Sequence, residues 1–158
     1  MKINIIFANF PYYSIELANS LSKKKGVNVQ LIAFRKKNEF VSSEDTSVYD
    51  QNLRSIVDKS IDLTIYQHYK LKDPRWLINH FRMVSKIRNS NPEVIIFQML
   101  GYRNYPLTFL PKKSKKIAIL HDINRHPGYE NNSREKLIMK SMINFDKVVV
   151  HGERSRDE

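Results

Sequence analysis

Apolar, β-branched residues recur along the chain in six short runs that helical patterns or loops separate. The runs occupy residues 2–8, 27–34, 62–67, 93–99, 116–121 and 146–151. Those at Val94 to Phe97 and at Val148 to Val150 are continuous rather than alternating, which is typical of parallel strands buried on both faces. The pattern therefore predicts an α/β domain with a Rossmann-like, three-layer architecture and a mostly parallel sheet of about six strands.

A first helix is predicted between the first two runs, from about Tyr13 to Lys25. Gly26 then supplies the left-handed residue that commonly ends a helix. The side chains expected on one side of this helix are Tyr13, Leu17, Ser20, Leu21 and Lys24. The polar stretch from Asn38 to Lys59 follows the second run, and a helical tail from Asp50 is compatible with its pattern. This stretch is either a mobile binding loop or an insertion.

Two further helices are predicted nearer the C-terminus. The second helix begins with Asp73 as its N-cap and Pro74 in its first turn, and it ends at Asn91-Pro92. Its expected inward side chains are Leu77, Phe81, Val84 and Ile87. The third helix opens on a capping box and spans about Ser133 to Phe145. Its expected inward side chains are Ile138, Met142 and Phe145.

The composition favours one globular domain. Its 158 residues can bury most of an ordinary hydrophobic core, and the absence of cysteine excludes disulfide scaffolds, thiolate nucleophiles and cysteine-zinc sites. No stretch approaches the roughly 20 apolar residues of a membrane span, and the short apolar start predicts a buried strand rather than a signal peptide. We therefore expect a cytoplasmic protein, with peripheral attachment to the inner face of the membrane as an open alternative.

The formal net charge of +11 is large for this length. Lysine and arginine concentrate at residues 23–25, 35–37 and 112–116. Such clusters attract polyanions, so nucleic acid, an anionic membrane surface and a phosphate-bearing substrate are competing partners. The alternative is that these residues are only solvated surface lysines. Nucleic acid is disfavoured, because the sequence has neither an aromatic and basic stripe nor a nucleic-acid-binding fold signature.

A dense group of ionisable side chains follows the fifth run, within residues 119–128. His121 leaves the predicted strand, and Asp122 can orient a neighbouring imidazole. Arg125 and His126 can contact phosphate or hydroxyl oxygens. Because ligands bind at the carboxyl ends of strands in open α/β sheets, this loop is the strongest candidate site. The alternative is a polar turn in which Asp122 accepts local backbone N–H groups.

A strand that ends in His121-Asp122 and leads into the turn His126-Pro127-Gly128 resembles the N-terminal half of family-four glycosyltransferases. The first strand with its following helix, Ser14 to Leu21, is similar to the opening of that family. The closing segment, Phe145 to Glu153, is similar to the family's last strand of this half. The likeness covers essentially all 158 residues.

The resemblance implies half of a GT-B fold and an enzyme that transfers a sugar from a nucleotide donor to an acceptor hydroxyl, with the anomeric configuration retained. It places His121 near the donor sugar, where it positions substrate with support from Asp122. The implied acceptor is a sugar or a lipid-linked sugar, as in the synthesis of a cell-surface polysaccharide or glycolipid. No cofactor or metal is expected, and the absence of any Asp-x-Asp pair agrees with this.

Residues that follow the first and sixth strands are expected to line the same cleft. After the first strand these are Asn9, Phe10 and Tyr12, whose aromatic rings can stack on an acceptor sugar or lipid head. This loop lacks the paired glycines with which many family members approach the donor phosphate. After the sixth strand they are Gly152 and Arg154, of which the arginine can contact an anionic ligand. The alternatives are a tyrosine packed on the first helix and an unpaired surface arginine.

The last residues have the spacing of a helix start, because Ser155 and Glu158 form a capping-box pattern with no helix behind it. We therefore expect residues 1–158 to be the N-terminal, acceptor-side domain of a longer protein, inactive without a C-terminal donor-binding domain. Half of a GT-B nucleotide-sugar epimerase is the alternative among enzymes. A basic α/β module that binds nucleic acid or an anionic membrane is the non-enzymatic alternative.

The remaining histidines carry weaker signals. His80 lies on the apolar stripe of the second predicted helix and is expected to be a partly buried packing residue. His68 follows the third run and is ambiguous. A metal site built from His121, Asp122 and His126 is not expected, since these residues lack a recognisable ligand spacing.

Overall fold

Six strands form one parallel sheet in a computed structural model, which describes residues 1–7, 11–36, 43–69, 72–98, 113–120, 140 and 142–150. In chain order the strands are β1 (Lys2–Phe7), β2 (Asn28–Lys36), β3 (Asp62–His68), β4 (Val94–Gln98), β5 (Lys115–Leu120) and β6 (Lys147–Val150). Their order across the sheet is β3-β2-β1-β4-β5-β6, and every neighbouring pair is parallel. The predicted Rossmann-like α/β fold is confirmed.

Three α-helices and one 3-10 helix accompany the sheet in the described ranges. They are α1 (Pro11–Ser22), α2 (Ser43–Ile56), α3 (Pro74–Ser90) and the 3-10 helix Met142–Asn144. None of them is long and apolar enough to cross a bilayer.

Helices cover both faces of the sheet, and successive residues of a strand point to opposite faces. Ile5 and Leu31 face one core, into which α1 contributes Ile15 and Ala18 and α2 contributes Leu53. The second core lies between the other face of the sheet and α3. Its fully or largely buried members are Ile6, Ile32, Met83, Ile87, Ile95, Phe97, Ala118 and Leu120. Because each face of the sheet packs against a core, successive residues of the central strands are apolar, and this explains the continuous apolar runs in the sequence.

Helix α1 begins two residues earlier than predicted, at Pro11, a residue type that suits the first position of a helix. Its buried side chains are Ser14, Ile15 and Ala18, whereas Tyr13, Ser20 and Lys24 are exposed. The predicted inward side was therefore only partly right, because Leu17 and Leu21 are the members of it that pack on the core. Gly26 has a φ of 77° and ends the turn after the helix, as predicted.

Helix α2 begins at Ser43, so the stretch between β2 and β3 is helical well before Asp50. Leu53 is buried within α2, and Val57 is buried directly after its end. Leu53 and Val57 attach the end of this mostly polar helix to the sheet, and two positions four residues apart give only a weak periodic signal in the sequence.

Helix α3 has both predicted ends. The Asp73 carboxylate accepts a hydrogen bond from the Arg75 backbone N–H at 3.0 Å, and Asn91 is left-handed at φ 45° and ψ 60°.

The predicted inward face of α3 needs correction. Met83 and Ile87 are buried and Val84 is partly buried, but Leu77 and Phe81 are exposed. Six residues at about 100° each place Leu77 about 120° from Met83 around the helix. The apolar residues of α3 cover more than one face, and only contact with the sheet decides which face is buried.

The third predicted helix is described only at its end. Met142 and Phe145 are partly buried against the second core, as predicted. The Phe145 ring meets the Phe97 ring edge to face, with centroids 5.2 Å apart and planes at 88°. Ser133 and Ile138 lie outside the described residues.

Candidate functional site

The carboxyl ends of all six strands lie along one edge of the sheet, because all neighbouring pairs are parallel. The strand order reverses between β1 and β4, since β2 and β3 lie on one side of β1 while β4, β5 and β6 lie on the other. A crevice at such a reversal is where open α/β sheets bind their ligands. Phe7 and Gln98, which are paired in the sheet register, end the two strands that border this crevice.

A buried polar pair lies at this point. The Ser14 hydroxyl, in the first turn of α1, donates a hydrogen bond to Oε1 of Gln98 at the end of β4. Ser14 is 0% exposed and Gln98 is 2% exposed. The bond joins the start of the helix that follows β1 to the end of the neighbouring strand. It therefore fixes the position of the α1 N-terminus at the crevice.

The sequence interpretation did not single out Ser14 or Gln98. The available signal was that Gln98 is the polar residue closing the apolar run Val94–Gln98. A polar residue at the carboxyl end of a buried strand is a common position for a site residue. The partner of Gln98 could not be inferred from the sequence, because 84 residues separate the two side chains.

The first turn of α1 faces the carboxyl edge. It contains no acidic side chain, so no carboxylate of that turn offsets the positive end of the helix dipole. Tyr12, a predicted substrate contact, is exposed in this turn rather than in a loop. An exposed ring at the edge of the crevice is available for stacking, and its role remains a prediction. Asn9 and Phe10 lie outside the described residues.

Strand β5 precedes the candidate loop in the sequence. Strand β5 ends at Leu120, and His121, Asp122, Arg125 and His126 follow it outside the described residues. Only β4 separates β5 from β1, so the chain leaves these two strands about 10 Å apart, twice the usual strand spacing. The predicted convergence of the two loops thus has support from the strand order. Gly152 and Arg154 follow β6 and also lie outside the described residues.

Two lysines of the 112–116 cluster have structural roles at the opposite edge. Lys115 Nζ lies 3.1 Å from an Asp146 carboxylate oxygen, and the Lys116 backbone N–H donates to the other oxygen at 2.8 Å. That backbone bond and the Lys115 side chain hold the pKa of Asp146 below its usual value. Burial lowers the pKa of Lys116, which is largely inaccessible. These two residues support the amino end of β5 and do not line the crevice.

Two further histidines belong to β3 and α3. The half-buried His80 ring stacks on Trp76 with centroids 5.3 Å apart, and burial lowers its pKa, so the predicted packing role is confirmed. His68 ends β3, and its side chain is outside the described part of the chain. Within the described ranges, no three histidine, aspartate or glutamate residues come together as metal ligands would.

The Ser14–Gln98 bond can be tested by a double-mutant cycle. We expect Ser14→Ala to lower the free energy of unfolding by about 1–3 kcal/mol, because a buried amide oxygen loses a donor. The double variant Ser14→Ala with Gln98→Leu should lose less stability than the two single variants added together, by at least about 0.5 kcal/mol. Urea denaturation of the four proteins measures this. Ser20→Ala, on the exposed side of the same helix, should change stability by less than about 0.5 kcal/mol, and additive effects would contradict direct coupling.

Comparison with known proteins gives structural matches only. No protein-family model matches the sequence, and no curated protein matches it at a significant level. The UDP-GlcNAc 2-epimerase of Methanocaldococcus jannaschii is similar in structure, with a TM-score of 0.64 and 11% identity over 99% of this chain. A putative UDP-N-acetylglucosamine 2-epimerase of Listeria monocytogenes has a TM-score of 0.62 at 14% identity over 99% of this chain. The Neisseria meningitidis UDP-GlcNAc 2-epimerase bound to UDP-GlcNAc has a TM-score of 0.53 at 14% identity over 99% of this chain.

At these identities the likeness concerns the fold. The matches span 41%, 40% and 48% of the three epimerase chains, so this chain corresponds to less than half of each. Its Rossmann-like fold is thus similar to that of part of each of these three epimerases. A relation to family-four glycosyltransferases in particular is not confirmed, since no family model matches the sequence.

Proposed function

We propose that this chain forms one Rossmann-like half of a two-domain, GT-B-like enzyme whose substrate is a nucleotide sugar, and that the reaction is epimerisation of the sugar. The observation that carries the proposal is the match over 99% of the chain to UDP-GlcNAc 2-epimerases. The strand order supports it, because the reversal between β1 and β4 creates a ligand crevice at the carboxyl edge.

We assign the contacts to the nucleotide sugar from the features of the described residues. The start of α1 lies at the crevice, fixed by Ser14 and Gln98 and free of acidic side chains in its first turn. Such a helix start favours a negatively charged group nearby. A second Rossmann-like domain would hold most of the nucleotide, and the exposed Tyr12 ring would stack against the sugar.

Without a redox cofactor, inversion at a hydrogen-bearing carbon requires one proton to be removed from one face of that carbon and another to be added to the opposite face. Imidazole and carboxylate groups near the crevice can carry out such transfers. His121, Asp122 and His126 are the ionisable residues that follow β5, so we assign the proton-handling role to this group. Arg125 would contact a phosphate oxygen, and Arg154, after β6, would contact a second anionic group.

A retaining glycosyltransferase is the second candidate. It is favoured by the His121-Asp122 strand end and the His126-Pro127-Gly128 turn, which resemble the family-four pattern. In that case the acceptor would be a sugar or a lipid-linked sugar, and His121 would position the donor sugar. Both candidates place the nucleotide sugar in the same cleft and differ in whether an acceptor is needed.

The two candidates are separated by incubating the protein from its complete reading frame with UDP-GlcNAc alone. We expect proton NMR to show a second UDP-linked sugar isomer without any acceptor. Release of UDP only after addition of an acceptor sugar would identify a transferase instead. Neither reaction, together with salt-sensitive retention on random nucleic acid, would replace both candidates by the basic binding module.

A further inference from the structure

The outer face of α3 carries three large apolar side chains that the core does not use. Leu77, Ile78 and Phe81 are 49%, 52% and 64% exposed. Phe81 follows Leu77 by four residues and Ile78 by three, so it is a neighbour of both on the helix surface. They form one continuous surface, here called the α3 apolar patch, turned away from the side that buries Met83 and Ile87. An exposed cluster of this kind marks an interaction surface more often than scattered single residues do.

The charged side chains of α3 itself are all positive. Helix α3 contains Arg75, Arg82, Lys86 and Arg88 and no acidic residue. Arg75 is engaged by Asp73 at 2.7 Å and lies over the Tyr69 ring, and Lys86 is engaged by Asp62 at 3.1 Å. Arg82 and Arg88 are exposed. Arg82 follows Phe81 directly, and Arg88 lies about two turns further on nearly the same side, so two cations flank the patch.

We propose that the α3 apolar patch docks on the surface of an anionic lipid bilayer, with α3 lying in the plane of the interface. Leucine, isoleucine and phenylalanine would enter the boundary between head groups and acyl chains, while Arg82 and Arg88 contact lipid phosphates. Charge complementarity selects this partner, because the helix offers apolar insertion and positive charge together and no acidic residue that anionic lipids would repel.

The α3 apolar patch begins near the edge of the sheet that carries the candidate crevice. Helix α3 begins shortly after the end of β3, so its first two turns lie near the carboxyl edge of the sheet. A bilayer held there would lie beside the rim of the crevice, where a lipid-linked substrate could enter. The docking itself does not depend on the proposed reaction, and its test requires no catalytic readout.

The test is sedimentation of the intact protein with vesicles of phosphatidylcholine alone or mixed with phosphatidylglycerol. We expect binding to the mixed vesicles that weakens with salt, and little binding to phosphatidylcholine alone. Ile78→Ser with Phe81→Ser should weaken binding at least about tenfold, a change of about 1.4 kcal/mol. Arg82→Gln with Arg88→Gln should weaken binding to the mixed vesicles by about tenfold or more.

A matched control is available elsewhere on the surface. Ile56, at the end of α2, and Ile143, in the 3-10 helix, are 46% and 85% exposed. Ile56→Ser with Ile143→Ser removes two exposed apolar side chains outside α3 and should leave vesicle binding unchanged. Thermal melting should show all variants folded, since every changed residue is exposed.

Several results would overturn the proposal. These are no sedimentation with anionic vesicles, binding unaffected by the patch variant, or an equal loss in the control variant. A patch variant that changes the oligomeric state, or loses an acidic protein partner, while its vesicle binding is intact would assign the face to a protein interface instead.

Discussion

Phe97→Ala is expected to lower the free energy of unfolding by about 3–5 kcal/mol. Phe97 is 1% exposed in β4, where its register partners are Ile6 in β1 and Ala118 in β5. Its ring also supports Phe145 through the edge-to-face contact. Truncation leaves a cavity between the sheet and α3. The neighbouring side chains cannot fill it, because the hydrogen-bonded strands on both sides of β4 hold their backbones in place.

The loss would be a large fraction of the total stability of an ordinary domain, about 5–15 kcal/mol. Urea denaturation followed by circular dichroism measures it, and a variant that is unfolded without denaturant also agrees with it. Phe81→Ala is the matched control, since it removes the same atoms from an exposed ring of α3. It should change stability by less than about 0.5 kcal/mol. Equal effects of the two substitutions would mean that the burial described for β4 is wrong.

His121→Ala is expected to lower the turnover of the nucleotide sugar about a hundredfold, the order of loss when a positioned or proton-transferring group is removed. His121 directly follows the last residue of β5, at the edge where the crevice lies. The melting temperature should change little, because His121 follows the apolar run of β5 and is not part of it.

The rate is measured by NMR on the protein from its complete reading frame, for whichever reaction UDP-GlcNAc undergoes. His80→Gln serves as the control, because His80 packs on Trp76 in α3 and should not affect turnover. A His121→Ala variant with nearly the original rate would remove this residue from the mechanism. The proposed fold and the docking surface would be unaffected by that result.

Local sequence patterns were sufficient to identify the strands, because each strand is a short apolar run, and the central strands β1, β2 and β4 are buried on both faces. The expectation of two buried faces was wrong for β6, where Val148 and Val149 are 42% and 46% exposed, because β6 is at the edge of the sheet. The sequence predicted the class of fold but not the order of the strands in the sheet. No local sequence pattern indicates that β1 lies between β2 and β4. Register pairs such as Ile5 with Leu31 and with Ile96 depend on contacts across the whole chain.

The faces of the helices were harder to predict. In α3, Leu77 and Phe81 fit a helical stripe as well as Met83 and Ile87 do, and only the shape of the sheet decides between them. The Ser14–Gln98 pair could not be predicted for a similar reason. The acceptor of the Ser14 hydroxyl lies on a strand far along the sequence, so no local pattern connects the two residues. Of the predicted site residues, Tyr12 lies in the described part of the chain, exposed in the first turn of α1, and its role stays a prediction like those of the others.

The central position of β1 has a consequence for how the protein is made. One edge of β1 pairs with β2, but the other pairs with β4, whose residues lie 91 positions later, as for Ile3 and Val94. During synthesis the ribosome must therefore release a nearly all-apolar strand with one side unpaired until β4 emerges. Such an open edge invites pairing with another chain. We expect chaperone demand and aggregation during expression to arise in this interval, before the sheet can close around its first strand.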